Sequence, residues 1–237
     1  MEETGKNPIQ VAERLFQVIE RLAENGPMGI MDLSAELGFH KSTTHRLVTS
    51  LQYMGYIRQD EESLKYALSL KFLEIGSKIL EQTNMASLIH PSLKKLSEQT
   101  GETVHLVRRE GTEAVYIDKV ESTVSSIRMV SRVGSRIPLY CSGVGKALLA
   151  ELPDPEIEDI WNSSEITSLT PYTVTSLSDL MDRIRGVREA GYAMDDEENE
   201  EGVRCIAVSI PDYHKEPVYA LSISAPVSRM TDARIAE

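Results

Sequence analysis

Residues 29–70 have the sequence GIMDLSAELGFHKSTTHRLVTSLQYMGYIRQDEESLKYALSL, which predicts two short helices, a tight turn and a small β-hairpin. The first helix ends at Gly38, because glycine readily adopts the left-handed conformation that closes a helix. The second helix runs from about Lys41 to Met54. Strand-like residues at 56–57 and 65–68 then flank a polar turn rich in acidic side chains. The order helix, turn, helix and hairpin is that of a winged helix-turn-helix domain.

The second helix has two different faces. Small and apolar residues at helical spacing predict one buried face, formed by Thr44, Leu47, Val48 and Leu51. The opposite face contains no acidic residue, although the chain has a formal net charge of -12. Its hydroxyl and basic side chains are those that bind phosphates and base edges in a DNA major groove. We therefore predict DNA contacts from Lys41, Ser42, Thr43, His45, Arg46 and Thr49.

The same segment has a second interpretation. An ordinary helical hairpin packed on a β-ribbon would show the same spacing, and helix-turn-helix patterns produce false positives. The acidic residues at 60–62, in the turn of the wing, favour this alternative because they do not form a phosphate clamp.

Composition limits the class of protein. A length of 237 residues predicts one or two domains, and 41% hydrophobic residues are enough for globular cores. No apolar run approaches the ~18 residues of a membrane span, and the polar N-terminus does not resemble a signal peptide, so we expect a cytoplasmic protein. Cys141 and Cys205 lack the spacing of a metal site or disulfide scaffold. The overall acidity disfavours non-specific nucleic-acid binding, so any DNA contact is expected to be local.

The remaining sequence predicts a linker helix and then a second domain. The helix at 69–82 has more apolar surface than an isolated linker needs, which indicates a partner chain. From residue 102 onward, strands mixed with helices predict an α+β domain with a largely antiparallel sheet. Strands are predicted at 103–107, 114–117, 126–130, 205–210 and 218–225. Helices are predicted at 85–100, 143–152, 154–161 and 176–190, with Ser142 as the N-cap of the second.

Residues 142–147, SGVGKA, are similar to a phosphate-binding loop but depart from its pattern. Tyr140 and Ala147 stand where that motif has a glycine and a serine or threonine, which argues against nucleotide hydrolysis. Glycines at a helix start still expose backbone N–H groups, and the helix dipole there favours an anion such as a small carboxylate. Alternatively, the glycines only allow the helix to pack closely on the sheet.

Two further segments are candidates for ligand contacts. Ser222 and Ser224 alternate with apolar residues on the last strand, so they share one face of the sheet. They would project into a cavity on that face, or their hydroxyls would bond to neighbouring backbone. The acidic run at 191–202 is expected to be mostly solvated, although loops between rigid elements often carry ligand contacts.

No arrangement of residues predicts catalysis, a metal site or a cofactor. The sequence has no GxSxG, HExxH or ordered Ser/His/Asp set. His90 and His105 are assigned to packing or surface roles, and Cys205 is expected to pack as a small hydrophobe. The alternative to a DNA-binding regulator is an enzyme or small-molecule carrier whose winged helix mediates protein contacts.

The whole chain resembles the IclR family of bacterial transcription regulators over residues 8–230. The resemblance is carried by Lys41-Ser42-Thr43, His45-Arg46-Leu47, Gly55-Tyr56, Tyr66, Leu68, Gly101-Glu102-Thr103-Val104, residues 142–147, Gly191-Tyr192, Asp195, Glu197, Glu198 and residues 202–207. Residues 64–71 and 128–134 resemble the KdgR branch, which responds to 2-keto-3-deoxygluconate.

The resemblance implies a domain order and partners. The expected parts are a winged helix-turn-helix domain at 1–68, a linker helix at 69–84 and a GAF-like effector-binding domain at 85–237. The expected partners are double-stranded operator DNA, a small carboxylate effector and further copies of the chain, as a homodimer or homotetramer. The family pattern also has a further C-terminal helix, which we expect this sequence to lack.

The resemblance also implies effector contacts. They fall on Met129, Ile137, Gly143, Val144, Asp195, Val203, Cys205, Ser222 and Ser224. Because Asp195 would repel a carboxylate, the acid group is expected at Gly143-Val144, with the hydroxyl groups of the ligand toward Asp195.

Overall fold

The structure is a computed structural model that describes residues 8–82, 84–122, 130–211 and 216–236. Contacts within the chain define two compact units, which divide between residues 82 and 83. The strand predicted at 126–130 lies outside the described residues except for Val130, which is not in a strand. Met129 also lies outside them.

The N-terminal unit contains the predicted helix-turn-helix and wing. Its elements are α1 (Gln10–Asn25), α2 (Ile30–Leu37), α3 (Lys41–Tyr53), β1 (Ile57–Gln59), β2 (Tyr66–Leu68) and α4 (Lys71–Gln82). Gly38 closes α2 with a φ of 65°, in the left-handed region where glycine is favoured. The strands β1 and β2 pair antiparallel.

The buried face of α3 is the one that the sequence predicts. Thr44, Leu47, Val48 and Leu51 are all buried. The three apolar members pack in one cluster with Val18 and Leu22 of α1, Leu33 of α2 and Tyr66 of the wing. The wing is also tied to the segment before α2, because Tyr66 and Met28 exchange backbone hydrogen bonds of 2.8 and 3.0 Å. The orientation of α3 is therefore fixed by apolar packing on one side, which leaves its other side free.

The C-terminal unit is an antiparallel sheet with helices on both faces. Its elements are α5 (Asn84–Thr100), β3 (Thr103–Glu110), β4 (Glu113–Val120), β5 (Arg136–Pro138), α6 (Gly143–Ala150), α7 (Asp154–Ser163), α8 (Leu177–Ala190), β6 (Ala193–Asp196), β7 (Val203–Ile210), β8 (Tyr219–Pro226) and α9 (Asp232–Ile235). The strand order is β5-β4-β3-β8-β7-β6. Every strand pair described is antiparallel, so the predicted α+β class is confirmed.

The two faces of the sheet carry different side chains. Leu93 of α5 packs against Val104 and Leu106 of β3, with Leu221 and Ile223 of β8 beside them. On the other face, the apolar residues of α6, α7 and α8 cluster with Ala207 and Ala220. Since side chains alternate along a strand, His105, Ser222 and Ser224 face away from α5.

The start of α6 lies very close to the segment before it. A methyl carbon placed on Gly145 would lie 2.2 Å from the carbonyl oxygen of Leu139. One placed on Gly143 would make only ordinary contacts of 3.5 Å and longer. Close packing therefore requires the glycine at 145, whereas the glycine at 143 leaves room beside the helix.

We predict that Gly145→Ala destabilises the C-terminal unit by roughly 1–3 kcal/mol or more, because the added methyl group overlaps backbone that cannot move freely. Thermal unfolding measures this change. Gly186→Ala is the matched control, since a methyl group there has nothing within 4 Å and lies inside α8. It should raise stability by up to ~1 kcal/mol. Equal effects of the two substitutions would contradict the prediction.

Candidate functional site

The face of α3 opposite its buried side is exposed and basic. Lys41, Ser42, His45, Arg46 and Thr49 are exposed, and Thr43 is half-buried. The first turn of α3 contains no acidic residue. Among the described residues, no carboxylate forms an ion pair with Lys41 or Arg46. The structure therefore places all six predicted contact residues on one accessible helix and leaves its two cations available to an external anion.

The acidic turn of the wing has a local structural role. The carboxylate of Asp60 accepts hydrogen bonds from the backbone N–H and hydroxyl of Ser63, at 2.8 and 2.7 Å. These bonds lower the pKa of Asp60 below its usual value. Asp60 thus stabilises the hairpin turn, which gives this acid of the wing tip a local structural role.

The C-terminal unit contains a cavity on the face of the sheet away from α5. It encloses about 430 Å³, including its opening to solvent. Eight of the nine residues predicted to contact an effector line it: Ile137, Gly143, Val144, Asp195, Val203, Cys205, Ser222 and Ser224. The ninth, Met129, lies outside the described residues.

The start of α6 offers free backbone donors to this cavity. Ser142 caps the helix as predicted: its hydroxyl donates to the carbonyl of Pro138 at 2.6 Å and accepts from the N–H of Gly145 at 3.1 Å. Neither Gly143 nor Val144 donates its N–H to an acceptor within the described part of the chain. Such N–H groups at a helix start suit an anion.

The hydroxyls of Ser222 and Ser224 point to a buried histidine. They lie 3.4 and 3.3 Å from Nδ1 of His105, whose Nε2 lies 2.8 Å from the hydroxyl of Ser131. Burial lowers the pKa of His105 to about 3, and the nearby charge of Lys119 acts in the same direction. The ring is therefore neutral, with one N–H and one lone pair to share among three hydroxyls.

The sequence did not reveal this role of His105. The prediction assigned it to packing or the surface, and it proves to be fully buried and part of the cavity wall. The signal was its place among apolar residues of a strand, Val104 to Val107, where a histidine needs a polar partner. The other histidine so assigned, His90, pairs with Asp118 at 2.7 Å and is exposed.

Asp195 lies in a strand rather than in a solvated loop. Residues 193–196 form β6, and Asp195 pairs with Cys205 of β7. Its Oδ1 accepts from the N–H groups of Glu198 and Asn199, at 2.8 and 3.3 Å. Burial raises the pKa of Asp195 to about 7, against the opposing effects of Lys146 and of these two N–H groups.

A buried ion pair stands behind Asp195. The ammonium of Lys146, in α6, lies 2.5 Å from Oε1 of Glu198, and both side chains are almost completely buried. Asp195 and Glu198 are therefore the buried acids of the run at 191–202, whose other acids are half-buried or exposed, as expected for most of the run. The sequence contained one sign of this pair, a single lysine between small and apolar residues in a helix whose first seven residues are all buried.

The described part of the cavity wall has neither a cationic side chain nor an ionised thiol. None of the described residues that line it is a lysine or arginine. Burial raises the pKa of Cys205, and that of Cys141 to about 12, so both thiols stay protonated near neutral pH. Across the described residues, no group of three or more His, Cys, Asp or Glu side chains is arranged to hold a metal ion. No described helix has the length and hydropathy needed to cross a membrane.

Both units of the chain match known protein families. A family model of the IclR helix-turn-helix domain matches residues 11–61. A model described as the C-terminal part of the bacterial transcriptional regulator IclR matches residues 77–237.

Individual relatives and solved structures agree with these matches. The acetate operon repressor of Salmonella typhimurium is 37% identical over 97% of this chain and 84% of its own length. The transcriptional regulator KdgR of Escherichia coli is 37% identical over 98% of this chain and 89% of its own. The crystal structure of Thermotoga maritima IclR superposes with a TM-score of 0.80 at 32% identity, covering 96% of this chain and 92% of that one.

These relatives are transcriptional regulators rather than enzymes, which rules out the enzyme alternative. The chain belongs to the IclR family of bacterial transcriptional regulators.

Proposed function

We propose that this regulator binds operator DNA through α3. The proposed contact residues are Lys41, Ser42, Thr43, His45, Arg46 and Thr49. Regulators of this family bind operator DNA and small-molecule effectors. The observation that carries the assignment is the exposed, acid-free face of α3 in a chain with a net charge of -12. A major groove admits such a helix, and the hydroxyl and basic side chains match phosphates and base edges.

We predict that Arg46→Ala weakens specific operator binding by ~1–3 kcal/mol if Arg46 contacts a base. Fluorescence anisotropy at fixed salt concentration measures the affinity. Arg185→Ala is the control, because it removes the same charge from an exposed position on α8. A folded Arg46→Ala protein with the operator affinity of the control would exclude a contact from Arg46.

The proposed effector is a small carboxylic acid, specifically a 2-keto sugar acid, and the proposed target is a carbon-catabolism operon. Support comes from the two free N–H groups at Gly143 and Val144, which suit a carboxylate, and from the hydroxyls of Ser222 and Ser224 in the same cavity. The chain is 37% identical both to the acetate operon repressor and to KdgR. Overall sequence identity therefore does not favour the KdgR branch of the family over the other. The choice of a keto sugar acid rests on the likeness to KdgR at residues 64–71 and 128–134.

We predict that the double substitution Ser222→Ala/Ser224→Ala weakens binding of 2-keto-3-deoxygluconate by ten-fold or more, since each lost hydrogen bond is worth about 1 kcal/mol. Isothermal titration calorimetry measures this affinity. Ser209→Ala in β7 is the matched control, because its hydroxyl bonds to Glu151 instead. An unchanged affinity in the double variant would remove the serines from the site.

The proposed assembly is a homodimer, or a homotetramer built from it, in which α4 contributes to the contact between chains. Leu70, just before α4, and Leu73 and Ile79 within it are 82%, 66% and 60% exposed. Apolar side chains this exposed on one helix indicate a surface that another chain covers. The resemblance assigns residues 69–84 to a linker helix, and the proposed contact would place pairing of chains next to the DNA-binding unit.

We predict that Leu73→Glu/Ile79→Glu shifts the protein toward monomers at micromolar concentration, because burying two carboxylates between chains is costly. Sedimentation velocity measures the distribution of species. Leu169→Glu changes an exposed leucine of the C-terminal unit and serves as the control. If the natural sequence is itself monomeric while operator binding is tight, the proposed assembly is wrong.

A further inference from the structure

The cavity presents an electrostatic problem for the ligand of the proposed function, on which this inference rests. A carboxylate would enter a cavity whose described lining contains Asp195 and Glu200 and no lysine or arginine. Two carboxylates held close together in a buried site cannot both stay ionised without a large cost. Within the described lining, a proton taken up by one of these groups would relieve that repulsion.

Lys146 is not available to neutralise the ligand. Its ammonium is bound to Glu198 at 2.5 Å, and the pair is sealed from solvent. The second oxygen of that carboxylate, Oε2, is buried without a hydrogen-bond partner among the described residues. The pair carries no net charge, and separating it to engage a ligand would leave a buried charge uncompensated.

Among the described residues, the other titratable groups around the cavity are neutral or anionic, and Lys119 of β4, whose charge acts on His105, is itself paired with Glu121 at 3.1 Å. His105, Tyr116 and Cys205 line the same cavity as Asp195, and the charge of Asp195 acts on Tyr116, Cys205 and Cys141. Burial keeps the ring of His105 neutral and raises the pKa of the tyrosine hydroxyl and of both thiols. Two titratable groups near Asp195, Glu198 and Glu200, come from the turn after β6, and Lys146 is the titratable group of α6. The charged side chains of α8 are exposed, and the buried side chain of Ile184 is apolar.

The two positions expected for the ends of the ligand, Gly143-Val144 for the acid group and Asp195 for the hydroxyl groups, are close together. A methyl carbon placed on Gly143 would lie 3.5 Å from the backbone nitrogen of Asp195 and 3.6 Å from its Cβ. A carboxylate on the free N–H groups of Gly143 and Val144 therefore lies beside Asp195 instead of far from it. Within the described residues, both donors to Asp195 bind Oδ1, so Oδ2 is left for the cavity.

We propose that the effector carboxylate binds together with one proton on Asp195, whose Oδ2–H then donates to the carboxylate that the N–H groups of Gly143 and Val144 hold. Where Asp195 is ionised in the free protein, the proton comes from solvent and is released again when the ligand leaves. Asp195 is then a specificity-determining residue: protonated, it selects an acceptor such as a carboxylate, and ionised, it rejects one.

The burial of Asp195 supports this linkage. Burial raises the pKa of Asp195 to about 7, so a proton is available at that site close to neutral pH. A bound carboxylate raises that pKa further, because a second negative charge lies beside the first. The affinity is therefore constant below about pH 7, where Asp195 is already protonated, and falls as pH rises above it.

The test is calorimetry of 2-keto-3-deoxygluconate binding between about pH 6 and pH 8.5, in buffers of different ionisation enthalpy. The expected result is a dissociation constant that rises toward about ten-fold per pH unit above pH 7, with uptake approaching one proton per ligand. In Asp195→Asn, the amide keeps the acceptor for Glu198 and Asn199 and places an N–H where the acid has its O–H. At every pH, this variant should bind the acid as tightly as the natural protein does at low pH. Its binding should take up no proton.

Asp196→Asn is the matched control, since Asp196 is next along β6 and pairs with Arg204 instead. It should keep the pH dependence. Binding that takes up no proton, or a slope that survives in Asp195→Asn, overturns this inference and leaves the proposed effector class intact. If the acid does not bind at any pH, the effector class fails and this inference with it. If Asp195→Asn does not fold, proton uptake by the natural protein decides.

Discussion

The buried ion pair between Lys146 and Glu198 is the interaction on which the C-terminal unit depends. A charged group without solvent costs several kcal/mol unless it is paired and hydrogen-bonded, so α6 can be buried only if the turn after β6 supplies a carboxylate. The hydroxyl of Thr173 holds that turn by donating to the carbonyl of Glu198 at 2.6 Å. Thr170 donates to the carbonyl of Glu197 at 2.7 Å. The ion pair and these two hydrogen bonds together hold α6, the turn after β6 and the segment before α8.

This pair also positions the cavity wall. The turn that carries Glu198 is the one whose N–H groups hold Oδ1 of Asp195, so the carboxyl group cannot rotate freely. On the other side, Gly145 lets the start of α6 approach Leu139 closely, and this brings its free N–H groups to the same cavity. The polar groups of the site are therefore held by interactions that the fold requires for its own stability.

Local patterns predicted much of the structure. The buried face of α3, the cap at Ser142 and the shared face of Ser222 and Ser224 all follow from periodicity or from one residue's preference, and each was found as predicted. The prediction of the serines also left open that they would bond to backbone, and the structure instead places both beside His105.

The features that escaped prediction depend on contacts between distant residues. Lys146 and Glu198 are 52 residues apart, and nothing in the acidic run distinguishes the buried carboxylates from the solvated ones. His105 meets its serines at separations of 117 and 119 residues. The short strands β5 and β6 contain too few residues to show an alternation.

The central strands β3 and β8 carry both the cavity and the support of α5. His105 and Ser222 face the cavity, whereas their immediate neighbours Leu106 and Leu221 pack on the side of α5. Cavity and helix are separated by the thickness of a single layer of backbone. Because packed interiors deform very little, a strand displaced from one side by a ligand must move the side chains on its other side. The sheet is therefore a short mechanical connection between an occupied cavity and the first helix of its own unit.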